Sequence, residues 1–109
     1  VGAPSGEAID QIDETLADRS ARISNPEAHS YTLDLLRDPN EAAKKFGSEV
    51  IEFTVAATTE TASDTEGELA DLIYAALVFA RSKHQPIELG NVLQILVERN
   101  QASEQQPAS

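Results

Sequence analysis

Apolar residues recur along the chain at steps of three and four, the spacing that gathers them on one side of an α-helix. Ile9, Ile12 and Leu16 form the first such stripe, which fades near Ile23 before Asn25-Pro26 interrupts it. SYTLDLL, from residue 30, predicts a short turn of helix. Asp38-Pro39-Asn40-Glu41 then combines a capping Asp, a Pro at the first helical position and a Glu at the third, so a long helix is predicted from there to about Thr58. TTETASD is rich in hydroxyls and reads as a loop, with Ser63 and Glu66 as a second capping box. The next helix, about Asp64 to Lys83, carries Leu69, Leu72, Ile73, Ala76, Leu77 and Ala80 on its apolar side. Gln85-Pro86 closes it, and a last helix from about Ile87 to Arg99 carries Leu89, Val92, Leu93, Leu96 and Val97. The expected fold is all-α, with helical hairpins forming a four-helix-bundle-like core.

Length sharpens this picture. A chain of 109 residues is one domain with a modest core, so a subunit partner is expected to complete it. The domain is expected over residues 8–100, between an N-terminal tail (1–7) and a C-terminal tail (101–109). Val1 stands where a Met would open a reading frame, which leaves a piece cut from a longer fusion among the readings.

A formal charge of −11 with scattered cations excludes a broad phosphate-neutralising stripe, so no nucleic acid is expected, and anionic membranes are disfavoured. An acidic protein still binds an anionic substrate when a divalent metal lies between them. Cysteine is absent, which removes thiolate metal sites, redox centres and disulfides. No apolar run reaches the roughly 18 residues of a membrane span, and no basic-then-apolar signal opens the chain. A cytoplasmic location is expected.

Glu49 with Glu52, and Glu68 with Asp71, are acids three apart on the two predicted long helices. In an antiparallel hairpin, residues 52 and 68 share a midpoint at residue 60, and so do 49 and 71; residue 60 lies in the predicted loop. Both pairs therefore fall at one level, about 12 Å from the turn at roughly 1.5 Å per residue. Four converging carboxylates repel unless protonated or neutralised, and oxygen ligands on facing helices suit a hard cation, Mg²⁺ above all. The plainer reading, four solvated acids on helix surfaces, stays open beside it.

These residues resemble the all-α nucleoside triphosphate pyrophosphohydrolases of the MazG-like superfamily, whose pattern is E-E-x-x-E followed by E-x-x-D. Here the pattern reads Ser48-Glu49-Val50-Ile51-Glu52 and Glu68-Leu69-Ala70-Asp71. Ser30-Tyr31-Thr32, Leu35-Leu36, Lys45 and the run through Leu72-Ile73-Tyr74 narrow the likeness to the phosphoribosyl-ATP pyrophosphatase family, over about residues 9–99. The resemblance implies Mg²⁺-dependent hydrolysis of phosphoribosyl-ATP to phosphoribosyl-AMP and pyrophosphate in histidine biosynthesis, by a homodimer with substrate near the interface. It implies Glu49, Glu52, Glu68 and Asp71 as metal ligands, with Glu52 or else Glu49 accepting the water proton.

Lys45 lies one turn before Glu49 and is a candidate either for a substrate phosphate or for a salt bridge to Glu49. Ser30, Tyr31 and Thr32 are candidates for the phosphoribosyl end, or the start of a helix. Arg37, Lys44, Arg81 and Lys83 are weaker phosphate candidates, read first as surface charges. His29 and His84 are read as surface residues, and Tyr74 as packing with its hydroxyl near the site mouth. Two positions depart from the family pattern: Ser48 replaces the first Glu, and Ala75 stands where His is common. Both border the metal face. They keep two alternatives open, a housecleaning pyrophosphohydrolase of another nucleotide and a non-catalytic helical dimerisation paralogue.

Overall fold

The computed structural model describes residues 6–105, which form five helices: α1 (Gly6–Ala21), α2 (Tyr31–Arg37), α3 (Pro39–Thr59), α4 (Ala62–Ser82) and α5 (Leu89–Gln105). Residues 1–5 and 106–109 of the expected tails lie outside the described part. The all-α expectation holds. None of the helices is long and apolar enough to cross a membrane.

Local chemistry explains most helix starts. Ser30 Oγ accepts the Leu33 N–H at 3.0 Å and opens α2. Asp38 accepts the Glu41 N–H at 3.2 Å, and Pro39 occupies the first turn of α3, as the sequence predicts.

The turn between the long helices differs from the expected loop. Thr58 and Thr59 remain helical, with the Thr59 hydroxyl donating to the Val55 carbonyl at 2.7 Å and the Thr58 hydroxyl to the Thr54 carbonyl at 3.1 Å. The cap of α4 is Thr61, which accepts the Asp64 N–H at 3.1 Å and donates to the Asp64 carboxylate at 2.9 Å; Ser63 and Glu66 do not form the expected box. The connection shrinks to residues 60–61, and α3 and α4 form a tight antiparallel hairpin. Thr65 Oγ1 donates to the Ala56 carbonyl at 3.0 Å where the two helices meet.

The core lies at the other end of this hairpin. Leu16, Leu33, Leu36, Leu77 and Val78 are buried together, with Leu35, Ala42 and Leu89 around them. Phe46 stacks on Phe79 at 6.3 Å between ring centroids. Arg81, expected as a surface charge, is buried and ties three segments together: Nε donates to the Ile87 carbonyl at 3.1 Å and Nη1 to Ser20 Oγ at 3.3 Å. Arg37 likewise donates to the carbonyls of Ile23 and Asn25, at 3.1 and 2.8 Å, and fixes the turn after α1.

The apolar stripes are only partly covered. On α4 the buried apolar residues are Ala75, Leu77 and Val78, while Leu69 and Ile73 stand 38% and 40% exposed, and Ile51 on α3 is 66% exposed. On α5, which runs past the expected Arg99, Val92, Ile95, Leu96 and Val97 face outward. A radius of gyration of 16.2 Å accompanies this open shape, against about 13 Å for a compact chain of similar length.

Candidate active site

Antiparallel packing of α3 on α4 brings Glu49, Glu68 and Asp71 together, with one oxygen of each within 4.8 Å of the others. The short turn at residues 60–61 falls beside the predicted midpoint, so the register expected from the acidic pairs is realised for Glu49 and Asp71. Glu52 stands beside Glu49 and feels its charge, but is exposed and outside this trio.

Glu49 is 3% exposed, and its Oε2 has no hydrogen-bond partner; Glu68 Oε2 is in the same condition. An orphaned carboxylate oxygen is costly to bury, and two carboxylates that carry one, grouped with a third acid, form a donor set of hard oxygens that fits a divalent cation. Glu49 Oε1 is instead held by Lys45 Nζ at 2.7 Å.

The electrostatics follow from these contacts. The ammonium of Lys45 holds Glu49 below the usual carboxylate range, overcoming burial, and Glu49 in turn raises Lys45. The proximity of Glu49 and its charge raise Glu52 above the usual carboxylate range. Desolvation raises Glu68, with the charge of Asp71 adding to it. The site thus contains one firmly ionised acid and two that hold their protons more tightly than free carboxylates.

A cleft opens from the trio. Its inner cavity, about 240 Å³, is lined by Tyr31, Leu35, Lys45, Glu49, Asp71, Tyr74, Ala75 and Val78. An outer cavity of about 410 Å³ continues past Tyr31 and Lys45 to Asp34, Asp38, Glu41 and Lys44. Lys45 Nζ lies 5.9 Å from the Tyr31 ring centroid, within cation–π range. The hydroxyls of Thr32 and Tyr74 hydrogen-bond at 3.0 Å and join α2 to α4 at the cleft wall.

Of the expected substrate residues, Tyr31, Lys45 and Ala75 line the cleft, and Thr32 braces it through Tyr74. Ser30 caps α2 and borders a separate depression with Arg19, Arg22 and His29. Ser48 is exposed on α3 and outside the cleft lining. Lys44 pairs with Glu41 at 3.2 Å. His29 and His84 are exposed, as expected. Leu35 carried part of the family likeness and Val78 lay outside the apolar stripe read for its helix; nothing in their apolar type marks them as cleft walls.

Residues 10–100 match the family described as phosphoribosyl-ATP pyrophosphohydrolase. The chain is 35% identical over 100 residues to the histidine biosynthesis bifunctional protein HisIE of Prochlorococcus marinus, a match covering 91% of this chain and 42% of that protein. It is 31% identical over 98 residues to the bifunctional protein of the same name from Bacillus subtilis, covering 89% of this chain and 44% of that one. Against the phosphoribosyl-ATP pyrophosphatase of Caulobacter vibrioides it is 38% identical over 65 residues, 60% of this chain and 61% of the relative. The chain spans less than half the length of the bifunctional relatives it matches. No solved structure matches it significantly.

Proposed function

The chain belongs to the phosphoribosyl-ATP pyrophosphohydrolase family, and on that footing we propose that it hydrolyses phosphoribosyl-ATP to phosphoribosyl-AMP and pyrophosphate with Mg²⁺. The observation that carries this reading is the trio of Glu49, Glu68 and Asp71, two of whose buried oxygens lack a partner, at the inner end of a cleft.

Glu49, Glu68 and Asp71 would hold Mg²⁺, which supplies charge neutralisation at the triphosphate and a more acidic water. Lys45 and Tyr31 border the path by which an anionic nucleotide reaches the acids. Glu52, adjacent to Glu49 and raised by it, is suited to take the proton from the attacking water as the bond between the α and β phosphates breaks. Pyrophosphate leaves and phosphoribosyl-AMP remains. The Thr32–Tyr74 bond keeps the wall of the cleft in place during this exchange.

A homodimer belongs to the same proposal. Ile51, Val55, Leu69 and Ile73 on the α3–α4 hairpin, with Val92, Ile95 and Leu96 on α5, are apolar surfaces that one chain leaves uncovered. A second reading, hydrolysis of a different nucleoside triphosphate, draws on Ala75: a small side chain lines the inner cavity where the family pattern commonly has His.

Pyrophosphate release in Mg²⁺, measured across phosphoribosyl-ATP, dCTP, dUTP and ATP, tests the proposal. Turnover confined to phosphoribosyl-ATP is expected. Turnover of another nucleotide in its place establishes the second reading, and no turnover of any of them defeats both.

A further inference from the structure

Lys45 occupies a position that charge balance alone does not require. Among the described residues it is the cation ion-paired to an acid of the site: the remaining pairs join Arg19 and Arg22 to Asp18, and Lys44 to Glu41. Its ammonium reaches from a partly exposed stem into contact with the buried Glu49, a member of the trio with Glu68 and Asp71, and it binds Oε1 while Oε2 of the same carboxylate has no hydrogen-bond partner. On its other side stands the ring of Tyr31, exposed at the boundary of the inner and outer cavities, both of which Lys45 lines.

A divalent cation held by Glu49, Glu68 and Asp71 and an ammonium held by Glu49 are like charges on one carboxylate, and they repel. The lysine has a flexible four-carbon stem and already stands 5.9 Å from the centroid of the exposed Tyr31 ring, whereas Glu49 is buried in the helix contact. The movable partner gives way. We propose that Lys45 is a built-in stand-in for the metal: it neutralises Glu49 until a divalent cation arrives, is then expelled toward Tyr31, and there presents its charge to the anionic substrate. The proposal rests on the metal-site reading given above, and it adds an order of events: metal entry arms the phosphate-binding lysine. In the metal-free chain, the same residue keeps the acids from repelling the helices apart.

The test uses metal alone, without nucleotide. Calorimetric titration with Mg²⁺ and with Mn²⁺ compares the wild type with Lys45→Met. Removal of the competing ammonium is expected to tighten metal binding by about fivefold, the scale of one partly exposed ion pair. A merely structural lysine gives the opposite result, since its loss loosens the hairpin and leaves affinity unchanged or weaker; that outcome overturns the proposal. A measurement on the wild type guards against a variant that does not fold. Lys44, Lys45 and Lys83 are the lysines of the chain, so their ¹³Cε resonances are resolved by substitution. Saturating Mg²⁺ is expected to move the Lys45 signal and leave that of Lys44 in place, and a stationary Lys45 signal overturns the proposal. Absence of metal binding in both proteins removes the stand-in and the metal site together. Tighter binding by Lys45→Met in a chain that hydrolyses no nucleotide preserves the stand-in and defeats the functional reading alone.

Discussion

Asp13 on α1 accepts the backbone N–H of Leu89 at 2.6 Å, and its second oxygen accepts that of Gly90 at 3.1 Å. An acid from the first helix therefore caps the last one, supplying acceptors to donors that an α-helix leaves unpaired at its start. The carboxylate is buried beside Leu16 and Leu89, so the contact fixes where α5 packs on the core.

Asp13→Ala removes both acceptors and leaves two N–H groups without partners. A loss of about 2 kcal/mol in unfolding free energy is expected, the combined scale of a lost cap and an unsatisfied buried donor. Chemical denaturation measures it. Metal affinity at Glu49 should be unaffected in the folded fraction, because the hydrogen bonds of Asp13 go to the start of α5 and not to the acids of the site; a large stability loss accompanied by lost affinity would show that the two regions are coupled.

That cap also marks what the sequence could not reveal. Ser30 and Asp38 were readable as caps because their donors lie three residues away, whereas the partners of Asp13 lie 76 and 77 residues on, and an acid inside a helix reads as solvated. The threonines around residue 58 misled in the opposite sense: hydroxyls suggest a loop, yet these fold back onto their own helix carbonyls. Leu69, Ile73 and Leu96 were readable as an apolar face, but a pattern within one helix does not say what covers it. Register was more legible. A turn near residue 60 sets Glu49 opposite Asp71 whatever the side chains between them do. Spacing alone did not separate Glu52, which is exposed and outside the trio, from Asp71, which belongs to it, since each stands three residues after its helix partner.

Glu49→Gln and Asp71→Asn test the trio itself. Each keeps the shape of the side chain and removes a charged ligand, so hydrolysis is expected to fall by about 100-fold or more while helix content by circular dichroism stays near that of the wild type. Activity within a few-fold of wild type in either variant would eliminate the carboxylate trio as the metal site.

Glu68 titrates in a direction that gives a distinct signature. Burial raises its folded pKa above the ordinary 4.5, so at neutral pH its ionised form costs the folded chain stability, and that cost disappears as pH falls through the raised value. Glu68→Gln should therefore raise the melting temperature of the metal-free protein at pH 7.5, with the gain shrinking toward pH 4.5. Saturating Mg²⁺ should reverse the order, since the wild type then uses the charge that Gln lacks. Thermal melts at several pH values, with and without Mg²⁺, check both halves; a loss at pH 7.5 that shrinks as pH falls would mean that the metal-free fold stabilises Glu68 as the anion.

Ser48 precedes Glu49 on an exposed part of α3, three residues after Lys45 and four before Glu52. Ser48→Glu places a new carboxylate within reach of both. It offers Lys45 a second partner, which loosens its hold on Glu49, and it adds negative charge beside Glu52. Mg²⁺ is then expected to bind a few-fold more tightly, by about the worth of one surface ion pair. Because Ser48 is solvent-exposed, helix content and melting temperature should change little. Calorimetric titration of Mg²⁺ into the variant decides the matter: an unchanged dissociation constant would place residue 48 outside the electrostatic reach of the trio, and weaker binding would mean that the added acid pins Lys45 where it opposes the metal.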